Sequence, residues 1–251
     1  MKILILDIEI APTIVTVWNL FNQNIALNQI LGNSYVLGWA AKWYGEEEIT
    51  YSSLRMTSSK RMLKEIYKMV NQADVIVGYN LDSFDMKILN KEFALLGLNP
   101  PSSYRTVDLL KTVRKRFKFT SNKLDFVVQQ FKLGSKKKHQ GHELWLSCMN
   151  KSASDYNEAW DVMEEYNCQD VNLTEKLYDK LMGWIPNHPN HSAFRNGHVC
   201  PNCGGTHLQK RGLALTTSLT YQRYQCNDCG SWSRSKIAIK ADRSKQLVTV
   251  K

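Results

Sequence analysis

The first ten residues, MKILILDIEI, constrain this chain more than any other stretch. The run of Ile and Leu predicts a β-strand, and two acids, Asp7 and Glu9, lie in its second half. Alternate side chains of a strand project from the same face, so these carboxylates are expected side by side. Two carboxylates held close on a rigid strand repel each other, which is unfavourable unless a cation lies between them. The alternative is that the strand ends at Asp7 and both acids face solvent.

Length and hydrophobic pattern predict one substantial core with a small appendage. The chain has 251 residues, of which 43% are apolar. β-Rich stretches precede helical periodicity, which begins after possible capping serines at 58 and 59. The predicted strands cover residues 13–19, 34–45, 47–54 and 74–80, and the predicted helices cover 86–98, 122–132 and 155–182. This interleaving predicts an α/β layer fold with a mixed β-sheet flanked by helices.

The chain changes character near residue 190. The stretch 183–198 is rich in Pro, Gly, Asn and His, which predicts a linker at 187–198 between domains at 1–186 and 199–251. Residues 1–186 contain 23 Lys and Arg against 21 Asp and Glu, a balance of +2, whereas residues 187–251 contain 10 against 2, a balance of +8. A concentrated positive charge favours nucleic acid as the partner of the last quarter. A basic tail that only aids solubility is the alternative.

No membrane segment is expected. No apolar run approaches the roughly 20 residues that a membrane span needs. Asp7 and Glu9 interrupt the first apolar segment too early for a signal peptide. The expected location is therefore the cytoplasm, in a bacterium or a phage-infected host cell.

Three further residues have the chemistry to join the first two acids. Asp85 ends the stretch GYNLDSFD, where a helix is expected to begin. Tyr166 and Asp170 lie four residues apart in a predicted helix and therefore share a face. Taken singly, Asp85 could be a helix cap and Tyr166 a core aromatic residue.

Together these motifs resemble a known family. The order D-x-E, N-x-x-x-F-D and Y-N-x-x-D over residues 1–182 resembles the DEDD exonuclease superfamily, the DnaQ-like branch of the ribonuclease H-like fold. The tyrosine four residues before the last aspartate resembles the tyrosine subclass; the histidine subclass would have His where this chain has Glu165. The same motifs resemble the exonuclease domains of family B polymerases and small stand-alone relatives of phages and bacteria.

The resemblance implies a 3′→5′ exonuclease that acts on single-stranded DNA ends, with a replication or repair protein as a possible partner. It implies that Asp7, Glu9, Asp85 and Asp170 bind two Mg²⁺ or Mn²⁺ ions, that Tyr166 orients the attacking water, and that Asn80 contacts the substrate. Two ions about 4 Å apart stabilise charge on the attacking and leaving oxygens of a phosphodiester. Asp108 is interpreted either as an acid that supports the ligands from behind or as a structural acid, and not as a ligand. An RNase or structure-specific nuclease on the same fold, with RNA or duplex ends as substrate, and a catalytically silent nucleic-acid-binding adaptor are the alternatives.

Four cysteines form two C-x-x-C-G motifs in the basic quarter. Cys200, Cys203, Cys226 and Cys229 match the closed Cys₄ set of a structural zinc, and the stretch between the pairs predicts two strands of a zinc ribbon. Two disulfides or a redox pair are the alternative, and His198 and His207 are alternative ligands.

Basic residues are expected to contact nucleic acid in two places. Lys210, Arg211, Arg223 and Arg234 lie in or beside the ribbon strands among Tyr221, Tyr224 and Trp232. Cationic groups contact phosphate while aromatic faces stack on unpaired bases. A ribbon that only docks a protein is the alternative. Lys136, Lys137 and Lys138 form a second predicted contact near the active site, with an ordinary solvated loop as the alternative.

Overall fold

A computed structural model of the chain describes residues 1–136, 141–195, 197–239 and 247. It divides the chain into two compact units, Lys2–Tyr178 and Asp179–Lys251, with Met1 counted in the second. Each unit has its own sheet. The domain limits expected at residues 186 and 198 stay a prediction.

The larger unit is built around a five-stranded mixed sheet. In chain order, the strands of this unit are β1 Ile3–Ile10, β2 Ile14–Val15, β3 Ile30–Gly32, β4 Val36–Trp43, β5 Thr50–Ser53, β6 Val75–Gly78 and β7 Arg105–Asp108. The sheet order is β5-β4-β1-β6-β7. β4 is antiparallel to both β1 and β5, whereas β6 runs parallel to β1 and β7. β1 is therefore the central strand.

Helices accompany this sheet along the chain. They are α1 Ser59–Gln72, α2 Asp85–Leu95, α3 Leu109–Arg116, α4 Leu124–Gln130, α5 His142–Met149 and α6 Tyr156–Leu181. The Ser58 side chain accepts from the Arg61 N–H at 3.4 Å, so the predicted cap of α1 is present. Met62, Leu63, Ile66 and Val70 of this helix are buried at the predicted helical spacing.

The core explains why the first strand is rigid. Leu4, Ile5 and Leu6 are each at most 1% exposed, so both faces of β1 are covered. The predicted mixed sheet with flanking helices is confirmed.

The segment after β1 corrects one prediction. Of the strand expected at residues 13–19, only Ile14–Val15 is β-structure, and it pairs with β3 rather than with the main sheet. β-Branched residues favour a strand only where they pack against neighbours. Here they do not, because Val17 is 41% and Trp18 93% exposed.

The smaller unit contains a three-stranded antiparallel sheet of order β10-β9-β8. Its strands are β8 Leu208–Leu215, β9 Thr220–Cys226 and β10 Trp232–Ala238. β8 and β9 are the two predicted strands, and β10 is an addition to them. Among the described residues, no helix is long and apolar enough to cross a membrane.

Candidate active site

Three of the predicted acids meet at the end of the central strand. Asp7, Glu9 and Asp170 each offer a carboxylate oxygen, and these oxygens lie within 4.8 Å of one another. Asp7 and Glu9 are two residues apart on β1, so they share a face as predicted. Asp170 reaches them from α6 and is 2% exposed. The solvent-facing alternative for Asp7 and Glu9 is therefore wrong.

Asp85 lies beside this group but outside it. It is the first residue of α2, where the sequence predicted a helix start, and it is 3% exposed. Its Oδ1 accepts from the Ile8 N–H at 3.2 Å, which ties α2 to the strand between the two acids. The structure thus brings Asp85 next to Asp7 without including it among the three clustered carboxylates.

Burial and mutual repulsion raise the pKa values of these acids. Burial first, then the charges of Asp85, Glu9 and Asp170, raises the pKa of Asp7 well above its usual range. Burial and the Asp170 carboxylate raise the pKa of Glu9 to about 8. Burial likewise raises the pKa of Asp85 to about 7. Buried carboxylates that repel one another in this way are stabilised by a cation.

Lys136 contributes one such cation. Its ammonium forms an ion pair with Asp170 Oδ2 and donates to Tyr166 Oη at 3.0 Å. Burial lowers the pKa of Lys136, but the carboxylate of Asp170 and the hydroxyl of Tyr166 outweigh that effect and hold it above its usual range. Of the three lysines predicted to contact nucleic acid here, Lys136 thus lies against the acids, while Lys137 and Lys138 fall outside the described residues.

Tyr166 lies on the same face of α6 as Asp170, as the spacing predicted. Burial, followed by the charge of Asp170, raises its pKa to about 12. Its ring packs edge-on against Trp145, with centroids 6.2 Å apart. The core-aromatic alternative does not describe it, because its hydroxyl bonds with Lys136 rather than being buried among apolar groups.

Two residues that hold the acids in place were not anticipated. Asn167 is fully buried, and its Nδ2 donates to Asp7 Oδ2 at 2.7 Å. A hydrogen bond from the Trp145 side chain lowers the pKa of Glu9. Asn167 was visible as the second letter of the Y-N-x-x-D motif, whereas no local signal marks Trp145.

Asp108 anchors the loop that contains Asn80. It caps α3 by accepting from the Leu110 N–H at 3.0 Å, and it also accepts from the Asn80 N–H at 3.1 Å and the Asp82 N–H at 3.3 Å. Asn80 has a φ of 68°, a left-handed conformation that Asn tolerates better than most residues. Asp108 is therefore a structural acid, as the sequence indicated.

The four cysteines meet in the smaller unit. Their Sγ atoms lie within 4.8 Å of one another, with Cys200 to Cys229 at 3.6 Å and Cys203 to Cys226 at 3.7 Å. A disulfide needs about 2.05 Å between sulfurs. Tetrahedral zinc with bonds of about 2.3 Å instead separates its sulfurs by about 3.8 Å. The donor set therefore fits zinc, and the cysteines are not disulfide-bonded.

The two C-x-x-C-G turns have the same backbone geometry. Gly204 and Gly230 each follow a C-x-x-C pair, and each has a φ of 73°, as the motif predicted. Each donates its N–H to the carbonyl oxygen of the first cysteine of its own pair at 2.9 Å. The alternative histidine ligands do not join the site. Among the described residues, neither His198 nor His207 belongs to the cysteine cluster, and His207 forms an ion pair with Asp228.

The basic residues of this unit do not share one face. Arg223 of β9 and Arg234 of β10 are direct cross-strand partners and therefore project from the same face. Lys210 instead lies opposite Tyr224, whose position in β9 alternates with that of Arg223. Lys210 is thus on the other face of the sheet.

Comparison with protein families finds one match, between residues 26–182 and a family described as the RNase_H superfamily. This range covers more than half of the 251 residues and begins after Asp7 and Glu9. Among solved structures, the chain is similar to the family B DNA polymerase from the hyperthermophilic archaeon Pyrobaculum calidifontis, at 19% identity and a TM-score of 0.54. The likeness covers 72% of this chain and 24% of the polymerase, so this chain spans about a quarter of that protein. No curated protein matches the chain.

Proposed function

Because the chain belongs to the RNase_H superfamily, we propose that it is a metal-dependent 3′→5′ exonuclease acting on the 3′ ends of single-stranded DNA. Membership of this superfamily indicates a nuclease; the direction of digestion and the substrate are the finer part of the proposal. The observation that carries it is the cluster of Asp7, Glu9 and Asp170 beside Tyr166 and Asp85. This set and its order along the chain support assignment to the tyrosine subclass of the DEDD exonucleases.

The acidic cluster fits divalent cations. Its oxygens are of the kind that Mg²⁺ and Mn²⁺ prefer. The raised pKa values of these acids come first from burial and then from mutual repulsion, and a bound cation offsets both. Asp170 Oδ1 is also buried without a hydrogen-bond partner among the described residues. Asp7, Glu9, Asp85 and Asp170 would hold two ions. When bound, these ions supply charge stabilisation at the attacking and leaving oxygens.

Tyr166 would orient the attacking water rather than deprotonate it. A phenol whose pKa is raised to about 12 keeps its proton near neutral pH. Its hydroxyl can therefore donate to, and accept from, groups beside the scissile phosphate. Trp145 and Lys136 contact this tyrosine from two sides and limit its rotation.

Asn167 and Lys136 have distinct supporting roles. Asn167 would fix the orientation of the Asp7 carboxylate by donating to its Oδ2. Lys136 supplies positive charge to Asp170, and its position beside Tyr166 supports the predicted contact with a substrate phosphate. Asn80 lies on the loop anchored by Asp108 and would contact the nucleotide next to the scissile bond.

The smaller unit would be a zinc ribbon that binds DNA. Its cysteines fit one structural Zn²⁺, and the net charge of residues 187–251 is +8 from 10 Lys and Arg against 2 acids. A partner in replication or repair remains part of this proposal.

The test is a digestion assay with single-stranded DNA and RNA, labelled at the 5′ end, with Mg²⁺, Mn²⁺ or neither. The proposal predicts a ladder of DNA products that shortens from the 3′ end and requires the added ion. Internal cuts, or loss of RNA alone, would favour a structure-specific nuclease or an RNase on the same fold. The absence of cleavage with either ion would favour a binding adaptor.

A further inference from the structure

The sheet of the smaller unit has one exposed face on which arginines alternate with aromatic side chains. We call it the arginine face, defined by Arg211, Tyr221, Arg223, Trp232 and Arg234. Tyr221 and Arg223 are two residues apart on β9, and Trp232 and Arg234 are two residues apart on β10. Because Arg223 and Arg234 are direct partners, all four project from the same side.

Arg211 joins this face from the third strand. Its Nε donates to Gln209 Oε1 at 3.0 Å, and Gln209 is the cross-strand partner of Gln225, two residues after Arg223. The Arg211 carbonyl accepts from Arg223 Nε at 2.8 Å. Each strand therefore contributes one arginine, and neighbouring strands lie about 4.8 Å apart.

The direct pairing of Arg223 with Arg234 is unfavourable by itself, because like charges directly opposite destabilise a sheet. No described acid relieves it. Residues 187–251 contain only two acids, of which Asp228 pairs with His207 and Asp242 lies outside the described residues. No ion pair involves either arginine within the part of the chain that the structure describes. A polyanion that passes over both side chains would supply the missing negative charge.

The aromatic residues hold the two arginines in place. The Arg223 guanidinium lies 4.8 Å from the Trp232 ring centroid, and that of Arg234 lies 3.9 Å from the Tyr221 centroid. Each arginine thus stacks on the diagonal neighbour across the strand pair, so the two lean in opposite directions. Arg223 donates one N–H to the Arg211 carbonyl and Arg234 donates one to the Ser235 carbonyl at 3.1 Å. A guanidinium has five N–H donors, so each arginine retains N–H groups for contact with phosphate.

We propose that the arginine face binds single-stranded nucleic acid, with Arg223 and Arg234 contacting backbone phosphates and an adjacent base stacked on Trp232. The inference rests on the proposed role of the ribbon and assigns that role to one face and one strandedness. Trp232 is 52% exposed although its ring is large and apolar. Bases in a duplex are already stacked on each other, so only an unpaired base can use this surface.

The opposite face provides the matched comparison. Lys210 is exposed and loses the same single charge when replaced by Gln, but it lies across the sheet from the arginines. If only net charge mattered, Lys210→Gln and Arg223→Gln would weaken binding equally. The proposal requires them to differ.

The experiment measures binding of a fluorescent 20-nucleotide strand by the full chain, carrying Asp7→Ala to prevent cleavage, with zinc retained and no chelator. The double variant Arg223→Gln/Arg234→Gln should weaken binding about 10- to 100-fold, as expected when hydrogen bonds to a charged group are removed. It should also reduce the salt slope by about 0.7 for each phosphate that the variant no longer neutralises. Trp232→Ala should cost about 10-fold on a single strand, and Lys210→Gln should have a much smaller effect than Arg223→Gln. Zinc content of one per chain confirms that each variant is folded.

Equal losses of affinity for Lys210→Gln and Arg223→Gln, unchanged binding in the arginine variants, or tighter binding to duplex than to single strand would each overturn the proposal. Cleavage by the chain with native Asp7 is assayed separately. If that chain cleaves nothing but the arginine variants lose binding, the proposed nuclease fails and this inference stands. If that chain cleaves DNA but the arginine variants bind as tightly as the parent, the proposed nuclease stands and this inference fails.

Discussion

The acidic cluster and the cysteine cluster both have donor sets that fit metal ions, but they are built in opposite ways. The acidic cluster draws on distant parts of the chain, with Asn167 and Asp7 separated by 160 positions along the sequence. The cysteine cluster is local, with 29 positions between Cys200 and Cys229. The acidic cluster forms because the larger unit folds, whereas we expect the smaller unit to fold only when its cysteines hold a metal ion.

The surroundings of the two clusters show why. β1 and α6 are embedded in a large apolar core, so the acids are held at close range despite their repulsion. Between residues 197 and 239, the buried hydrophobic side chains that the structure describes are Cys200 and Cys226 themselves. With so little apolar burial, we expect this unit to need metal for its stability, as small zinc-binding domains do. The acids should tolerate metal removal, and the cysteines should not.

Replacing an acid should therefore remove activity and leave the fold intact. Asp7→Ala or Asp170→Ala is expected to lower the cleavage rate by about 10³-fold or more, because the missing charge stabilisation is worth several kcal/mol. Glu164→Gln, an exposed change on the same helix as Asp170, is the control and should cleave normally. The comparison fails if Asp170→Ala retains full activity or if it is unfolded by circular dichroism.

Removing a cysteine should have the opposite result. Cys203→Ser is expected to lose zinc and to unfold the smaller unit, because structural zinc contributes about 10 kcal/mol or more of folding free energy. Hydrogen exchange should show loss of protection in β8, β9 and β10 with protection of β1 and β6 unchanged. Full protection of the ribbon strands in the zinc-free variant would show that the metal is dispensable.

Asn167→Ala should produce an intermediate effect at the acidic cluster. Without the donor to Asp7 Oδ2, the carboxylate is free to rotate, and the cleavage rate should fall about 10- to 100-fold. The rate should be partly recovered at high Mn²⁺, which a collapsed site would not allow. An unchanged rate at low Mn²⁺ would mean that Asn167 does not position Asp7.

The pH dependence of stability tests the burial and repulsion of the acids. The pKa of Glu9, about 8 in the folded chain against 4.5 as its ordinary value, means that the folded state holds this proton more tightly. The contribution of Glu9 to the free energy of unfolding without divalent ions is therefore fully present below pH 4.5 and falls as the pH rises from 4.5 towards 8. Urea unfolding of the chain and of Glu9→Gln measures this, and the variant should show a shallower fall. Identical slopes in the two proteins would contradict the assigned cause.

The difference between local and distant signals also explains what could be predicted from the sequence. The Asp7 and Glu9 strand, the Ser58 cap and the glycines after each C-x-x-C pair were predictable, because each depends on neighbours within a few residues. Contacts made across the fold were not predictable. The contact of Lys136, in the loop after α4, with Asp170 and that of Trp145, in α5, with Glu9 arise only when these segments pack around the sheet.

The error at residues 13–19 has the same origin. Its β-branched residues matched the strand pattern, but strand formation depends on a neighbouring strand and a core to cover it. Only Ile14–Val15 found a partner, in β3. Propensity indicated the local conformation that residues favour, and tertiary packing decided whether it formed.

The central claim is that the buried acids hold two divalent ions, and Mn²⁺ binding measured by electron paramagnetic resonance tests it most directly. Zinc-loaded chain, with deoxythymidine monophosphate present as a product mimic, should bind two Mn²⁺ ions beyond its zinc. Asp170→Asn should lose at least one of them, whereas Glu164→Gln should retain both. No Mn²⁺ bound by the zinc-loaded chain, or the same number bound by Asp170→Asn, would contradict the account.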